Sequence, residues 1–159
     1  MQNALILGID PGSRKTGYGI IYRKESKFYA VAFGVIKPKT TMDFKDRITE
    51  IFSEVNALIK LHHPTAMAME DIFFAKNAMS ALKLGHVRGA IMVAASLNNI
   101  SLSEYSPTHV KQAVTGSGRA QKHQIQQMIK MLFGLSDPPQ EDAADALAVA
   151  VTHSFEVKR

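Results

Sequence analysis

Apolar positions near the start of the chain have the pattern of a small sheet. A nearly continuous apolar run from Leu5 to Ile9 leads into the turn-forming sequence Asp10-Pro11-Gly12, which predicts a central strand buried on both faces. The segments Thr16 to Arg23 and Phe28 to Lys37 are rich in aromatic and β-branched residues and are separated by a polar stretch. The pattern therefore predicts a meander of three strands, the first of which ends in a carboxylate.

Helical periodicity alternates with short strands in the rest of the chain. Apolar residues from Phe44 to Ile59 recur at helical intervals, and Ala66 to Met69 forms a buried strand that Glu70 follows. The later predicted elements are a helix over Ser80–Asn98, a strand over Leu102–Tyr105, a short helix to Val114, a helix with Ile125, Met128, Ile129 and Leu132 on one face, and a helix over Glu141–Ser154. This order predicts an α/β protein with helices on both faces of one mixed sheet, organised as a single domain over residues 1–159.

Composition and charge narrow the function classes. The 159 residues are 46% hydrophobic and 21% charged with no cysteine, which excludes disordered and disulfide-framework classes. The formal charge of +5 favours a polyanionic partner such as nucleic acid, although a merely basic surface stays an open alternative. No apolar stretch approaches the ~18 residues of a membrane span and no secretory signal is evident, so we expect a cytoplasmic protein without membrane attachment.

Four carboxylates are placed where they could converge. Asp10 and Glu70 directly follow buried strands, and Asp142 and Asp145 stand three residues apart on one face of a helix. Each has an ordinary explanation alone, as a turn former, a solvated strand end or a partner of the helix dipole. Unpaired charge next to buried strands is costly, however, unless cations or hydrogen-bond donors compensate it. The combination therefore favours a site for hard divalent cations.

The residue types favour magnesium over zinc at such a site. Mg²⁺ prefers oxygen ligands and keeps several waters, whereas zinc prefers histidine and cysteine. The chain has no cysteine, and its histidines have no spacing for a shared site. Two Mg²⁺ ions about 4 Å apart activate a water and stabilise the leaving oxygen in phosphodiester cleavage. That mechanism needs acids together with a basic groove for the substrate.

Basic residues lie near these acids in the sequence. The groove candidates are Arg14 and Lys15 after Asp10, Lys76 and Lys83 after Glu70, and Lys111, Arg119 and Lys122 around the glycine loop 115–119. Glycines let the backbone approach phosphate closely, which favours phosphate contacts for Lys111 and Lys122 over a solvated face. Phe73 either packs in the core or stacks on bases near the cleaved bond.

Two glycine patterns allow other interpretations. Gly17-Tyr18-Gly19 has part of a dinucleotide-binding fingerprint, but it lies inside a predicted strand instead of opening a helix, so no such site is predicted. Gly85, Gly89 and Ala90 give the helix after Glu70 a smooth flank. This flank either packs within the monomer or forms the seam of a dimer.

Several segments together resemble one family, the RuvC Holliday junction resolvases of the ribonuclease H-like superfamily. The resemblance spans nearly the whole chain and is specific in combination. Its segments are Ile9–Arg14 with Thr16–Gly19, Glu70–Asn77, Ala81–Gly85, Val110–Val114 and Asp142–Ala148. It implies a ribonuclease H-like mixed five-stranded sheet with helices on both faces, and a nuclease that resolves four-way DNA junctions by symmetric cuts during recombination and repair.

The resemblance also implies roles for individual residues and partners. The metal-binding and catalytic tetrad would be Asp10, Glu70, Asp142 and Asp145, holding two Mg²⁺ ions for which Mn²⁺ can substitute. Phe73 would lie near the scissile region, and Lys111 and Lys122 would contact DNA phosphates. The family is homodimeric and cooperates with a branch-migration motor complex. Relatives sometimes have histidine in place of Asp142, and the extra acid Asp71 has no role in the family's tetrad.

Three other classes remain to be weighed. An actin-like or sugar-kinase ATPase begins with a similar strand and turn, but it requires a second phosphate loop and about twice this length. A non-catalytic junction-binding protein is compatible with the basic residues but leaves the four acids unexplained. A ribonuclease H-like nuclease that acts on RNA is the closest alternative.

Overall fold

The computed structural model describes residues 4–72 and 77–157 of the chain. In chain order the elements are β1 (Ile6–Asp10), β2 (Thr16–Lys24), β3 (Lys27–Ile36), α1 (Phe44–His62), β4 (Ala66–Glu70), α2 (Ala78–Leu97), β5 (Ser101–Tyr105), α3 (Pro107–Thr115), α4 (Lys122–Phe133) and α5 (Glu141–Glu156). Every element predicted from the apolar pattern is present among these, and the differences are confined to the ends of the elements.

The strands form one mixed sheet in the order β3-β2-β1-β4-β5. β1 is antiparallel to β2 and parallel to β4, and β4 is parallel to β5. The predicted mixed sheet is therefore confirmed. Since Ile9 is in register with Met69, the carboxyl ends of β1 and β4 lie side by side at one edge of the sheet.

Helices cover both faces of this sheet, as predicted. On one face α1 and α2 pack over Leu7, Ile9 and other apolar side chains. On the other face α3, α4 and α5 pack over Ile6, Ile21 and their neighbours. β1 is apolar at successive positions because both of its faces are covered, which is the usual reason for such a run.

Helix α5 lies unusually close to the sheet because glycines face it. A Cβ atom placed on Gly17 would stand 1.9 Å from the carbonyl oxygen of Asp142, and one on Gly8 would stand 2.0 Å from that of Ala146. The facing residues of α5 are themselves small, and Ala143, Ala146 and Ala150 among others are buried. This backbone-to-sheet contact brings the first turn of α5 beside the end of β1.

Helix α2 divides into a buried face and an apolar outer face. Val87, Ile91 and Ala94 are buried against the sheet, whereas Leu82, Val93 and Leu97 are exposed on the opposite side. A Cβ atom on Gly85 or Gly89 would meet nothing within 4 Å among the described residues. The described residues therefore give no support to packing of these two glycines within the monomer, and the dimer seam stays a prediction. In the described part of the chain, no helix, α2 included, has the length and apolar character needed to cross a membrane.

Candidate active site

The four predicted acids line one cleft at the carboxyl edge of the sheet. Asp10 is the last residue of β1, Glu70 the last of β4, and Asp142 and Asp145 lie in the first two turns of α5. All four contribute to the walls of the same cavity. Parallel pairing of β1 with β4 and the close approach of α5 to Gly17 together produce this arrangement. The predicted convergence is thus observed, while the role of these acids as metal ligands stays a prediction.

Burial raises the pKa of three of these carboxylates, those of Asp10, Glu70 and Asp145, above their usual values. Burial, followed by the charges of Glu70, Asp145 and Asp142, raises the pKa of Asp10 well above its usual range. Burial, followed by the charge of Glu70, raises the pKa of Asp145 to about 7. Burial also raises the pKa of Glu70, although the hydrogen bond with Asp10 and nearby cationic side chains oppose this. Such shifts are typical of sites in which a bound cation or a shared proton balances the charge.

The donor set fits hard divalent cations. Each of the four side chains offers carboxylate oxygens, the ligands that Mg²⁺ and Mn²⁺ favour. Within residues 4–72 and 77–157, no three acidic or histidine side chains are arranged to hold one ion together. Mg²⁺ does not require such a cage, because it usually binds one or two carboxylates and completes its shell with water and substrate phosphates. The cleft therefore fits ions that are shared between carboxylates and a phosphate.

Two lysines also belong to the lining of this cleft. Lys111 of α3 and Lys122, the first residue of α4, line the same cleft, and the charges of both lower the pKa of Glu70. Lys122 forms an ion pair with Glu141, the first residue of α5, and that hydrogen bond is the main cause of its raised pKa. Both lysines line the cleft, and their predicted contacts with phosphate stay predictions.

The other predicted nucleic-acid contacts lie outside this cleft or outside the described residues. Arg119 is exposed in the loop before α4, and Arg14 and Lys15 are exposed in the loop after β1. Lys83 lies over the ring of Phe44, 5.7 Å from its centroid. Phe73 and Lys76 fall in the segment 73–76, outside the described residues, so their predicted roles stay predictions.

The cleft continues past Glu70 into a second lobe beneath α2. This lobe shares Asp10, Glu70 and Lys111 with the first and adds Asp71 and Arg88. Asp71 donates its backbone N–H to the carbonyl oxygen of Tyr105, 2.8 Å away, and its carboxylate forms an ion pair with Arg88 at 3.4 Å. The open question about Asp71 thus has a structural answer, because this acid ties the end of β4 to β5 and α2.

Three contributors to the site were not predicted from the sequence. Gly17 admits the first turn of α5, Glu141 pairs with Lys122, and Arg88 contacts the backbone of Glu70. The sequence did contain an indication of the role of Arg88, because its single charge interrupts the apolar face formed by Leu84, Val87 and Ile91. For Gly17 the signal was the repeated glycine in a strand that otherwise consists of large residues.

The chain is similar in sequence and in fold to proteins of one family. A family model described as crossover junction endodeoxyribonuclease RuvC matches residues 6–153. Proteins of the same name from Citrifermentans bemidjiense and Geobacter sp. strain M21 are each 51% identical over 150 residues, covering 94% of this chain and 92% of the relative. The structure of T. thermophilus RuvC in complex with its Holliday junction substrate superposes with a TM-score of 0.91 at 34% identity, covering 96% of this chain and 93% of that one. The expected ribonuclease H-like fold is confirmed by this last match.

Proposed function

The chain belongs to the RuvC family of crossover junction endodeoxyribonucleases, and we propose that it resolves four-way DNA junctions by metal-dependent hydrolysis of phosphodiester bonds. The proposal rests on one observation, a single cleft that is lined by four carboxylates and two lysines. The similar proteins bear the name of a DNA endonuclease, so neither the RNA-acting nor the non-catalytic alternative is favoured.

The acids of the cleft would hold the cations. Glu70, Asp145 and Asp142 lie near enough to Asp10 for their charges to raise its pKa. Asp10, Glu70, Asp142 and Asp145 would together hold the ions, with water and substrate phosphate completing the shell of each ion. When bound, two Mg²⁺ or Mn²⁺ ions supply an activated water and stabilise the leaving oxygen.

The lysines would hold and orient the scissile phosphate. Lys111 and Lys122 come from two different helices and line the same cleft as the acids, so both are placed to contact one bound phosphate. Lys122 is paired with Glu141, so a bound phosphate would compete with the Glu141 carboxylate for it. Arg119, Lys76 and Phe73 belong to the proposed DNA-binding set, with Phe73 as the aromatic side chain near the scissile bond.

A homodimer is part of the proposed function. Resolution requires two symmetry-related cuts, and each chain provides one cleft with one set of acids. The exposed apolar face of α2, with Gly85 and Gly89 at its centre, is the proposed seam. Cooperation with a branch-migration motor complex and a cytoplasmic location stay predictions from the resemblance and the composition.

A cleavage assay with three substrates tests the proposal. A synthetic four-way junction, a linear duplex of the same sequence and a structured RNA are each incubated with the protein in Mg²⁺, in Mn²⁺ and in chelator. We expect symmetric nicks in the junction alone, and only with the metal present. Asp10→Asn should slow cleavage about a thousandfold because one metal ligand is lost, while junction binding in chelator is retained.

Two results would contradict this assignment. Junction cleavage by Asp10→Asn at nearly the wild-type rate would show that Asp10 is not a metal ligand. Faster cleavage of the structured RNA than of the junction would assign the same cleft to the RNA-acting alternative.

A further inference from the structure

A buried cation beside the cleft has no part in the proposed chemistry. Arg88 lies on the inner face of α2 and is only 6% exposed. Its guanidinium donates to the backbone carbonyl of Glu70, to the carboxylate of Glu104 on β5, and to the carboxylate of Asp71 at 3.4 Å. The first of these contacts joins α2 directly to Glu70, which is itself a predicted metal ligand.

The geometry of arginine explains how one side chain makes all three contacts. A guanidinium presents five N–H donors in a rigid planar fork, so it can bridge several acceptors without changing its conformation. The acceptors lie at the ends of neighbouring strands, since Met69 is in register with Glu104 and Glu70 with Tyr105. Arg88 therefore spans the β4–β5 pair at the point where β4 leaves the sheet.

The backbone at Glu70 needs such an anchor because the strand ends there. Upstream residues of β4 are held by hydrogen bonds to β1 on one side and β5 on the other. The register with β1 stops at Met69, so at Glu70 only the β5 side of the ladder continues, through the bond from Asp71 N–H to Tyr105. Arg88 supplies the remaining restraint by binding the Glu70 carbonyl.

We propose that Arg88 is a positioning residue, which fixes the backbone of Glu70 so that its carboxylate stays beside Asp10 in the cleft that would hold the cations. The inference rests on the proposed function, because it assumes that Glu70 binds metal. Catalytic geometry tolerates little error, and a displacement of about 1 Å can cost roughly a hundredfold in rate. Arg88 thus acts through Glu70 and does not itself touch the substrate.

The test must separate positioning from simple compensation of buried charge. Arg88→Lys keeps the positive charge but replaces the rigid planar fork by a single flexible ammonium, which does not hold the Glu70 carbonyl and the Glu104 carboxylate in one fixed geometry. Arg88→Met combined with Glu104→Gln removes the cation together with its closest counter-charge, so no uncompensated buried charge is left. Glu104→Gln alone is the matched control, since the amide oxygen still accepts from Arg88 and the Glu70 contact is kept.

The main readout is the Mg²⁺ concentration that gives half of the maximal rise in melting temperature, measured without DNA. Both Arg88 variants should need about tenfold more Mg²⁺, whereas Glu104→Gln should stay within about twofold of wild type. Junction cleavage at limiting Mg²⁺ should fall in the same order and recover at high Mg²⁺. Junction affinity in chelator should be unchanged, because no phosphate contact is removed.

The outcomes distinguish this inference from the proposed function. If either Arg88 variant had a wild-type Mg²⁺ midpoint while Glu70→Gln lost the Mg²⁺ response, Arg88 would be a structural ion-pair partner only, and the metal site would stand. If Glu70→Gln kept the full Mg²⁺ response, the assignment of Glu70 as a ligand and the inference built on it would both be wrong.

Discussion

At the scale of single residues, the cleft combines acids that end two strands with charged residues whose partners are distant in the sequence. Asp10 and Glu70 are visible because each follows a buried apolar strand, and the sheet topology then brings them to one edge. Arg88 and Glu141 act through partners that are distant in the sequence, Glu70 and Lys122 respectively. A sequence pattern shows which residues are charged, but only the packing of α2 and α5 shows which opposite charge or carbonyl each one meets.

Lys122 leads to a prediction at this scale. If it neutralises one phosphate, Lys122→Ala should reduce the slope of log affinity against log salt concentration for junction binding by about one unit. The measurement is a salt titration of junction affinity in chelator. Lys60→Ala is the matched control, because Lys60 is an exposed lysine near the carboxyl end of α1, next to the start of β4 and therefore at the opposite end of that strand from Glu70. An equal change of slope in both variants would mean that only overall charge matters.

At the scale of elements, apolar periodicity was sufficient to predict the strands and helices, but it did not predict the distances between them. The stripe from Phe44 to Ile59 and the runs around Ile9 and Met67 predict α1, β1 and β4 because each buries the corresponding face. The depth at which α5 lies on the sheet depends on the missing side chains of Gly8 and Gly17. Apolar periodicity depends on the side chains that are present. It therefore cannot predict a close approach that depends on glycine, which has no side chain.

Gly17 therefore supplies the prediction that belongs to the elements. Gly17→Ala would place a methyl group 1.9 Å from the carbonyl oxygen of Asp142, so α5 must move away from β2. We expect the free energy of unfolding to fall by about 1–3 kcal/mol, as for other overpacked cores, and junction cleavage in Mg²⁺ to fall with it because Asp142 is displaced from Asp10. Denaturant unfolding and single-turnover cleavage measure the two effects.

Gly85→Ala is the control for the same chemical change in an open position. No described atom lies within 4 Å of the new methyl group, and alanine is favoured over glycine inside a helix by up to about 1 kcal/mol. Because Gly85 also lies on the proposed seam, the comparison is made on unfolding of the monomer, whose stability should equal or exceed that of the wild type. Equal stabilities for Gly17→Ala and the wild type would show that α5 can shift without cost, and the account of its close approach would then be wrong.

At the scale of the whole molecule, the two faces of α2 connect the site to the proposed assembly. The inner face carries Arg88 and anchors Glu70, while the outer face exposes Leu82, Val93 and Leu97 to solvent. Apolar residues grouped on one exposed helix face are typical of a surface that is covered in the functional state. A two-fold dimer places the same patch of both subunits against itself and provides two clefts related by symmetry. This matches a substrate that must be cut in two equivalent strands.

Gly89 is the position at which this arrangement can be tested. Because no described atom lies within 4 Å of a Cβ atom at Gly89, Gly89→Leu should leave the fold intact but separate two helices that meet there. We expect weaker self-association in sedimentation experiments and loss of paired cleavage, with nicked junctions accumulating instead of resolved products. Ala57→Leu, which adds the same exposed side chain to α1, is the control for nonspecific effects and should dimerise and resolve junctions as the wild type does. A wild-type protein that stays monomeric on junction DNA would contradict the dimer, whereas normal dimerisation of Gly89→Leu would contradict only the seam on α2.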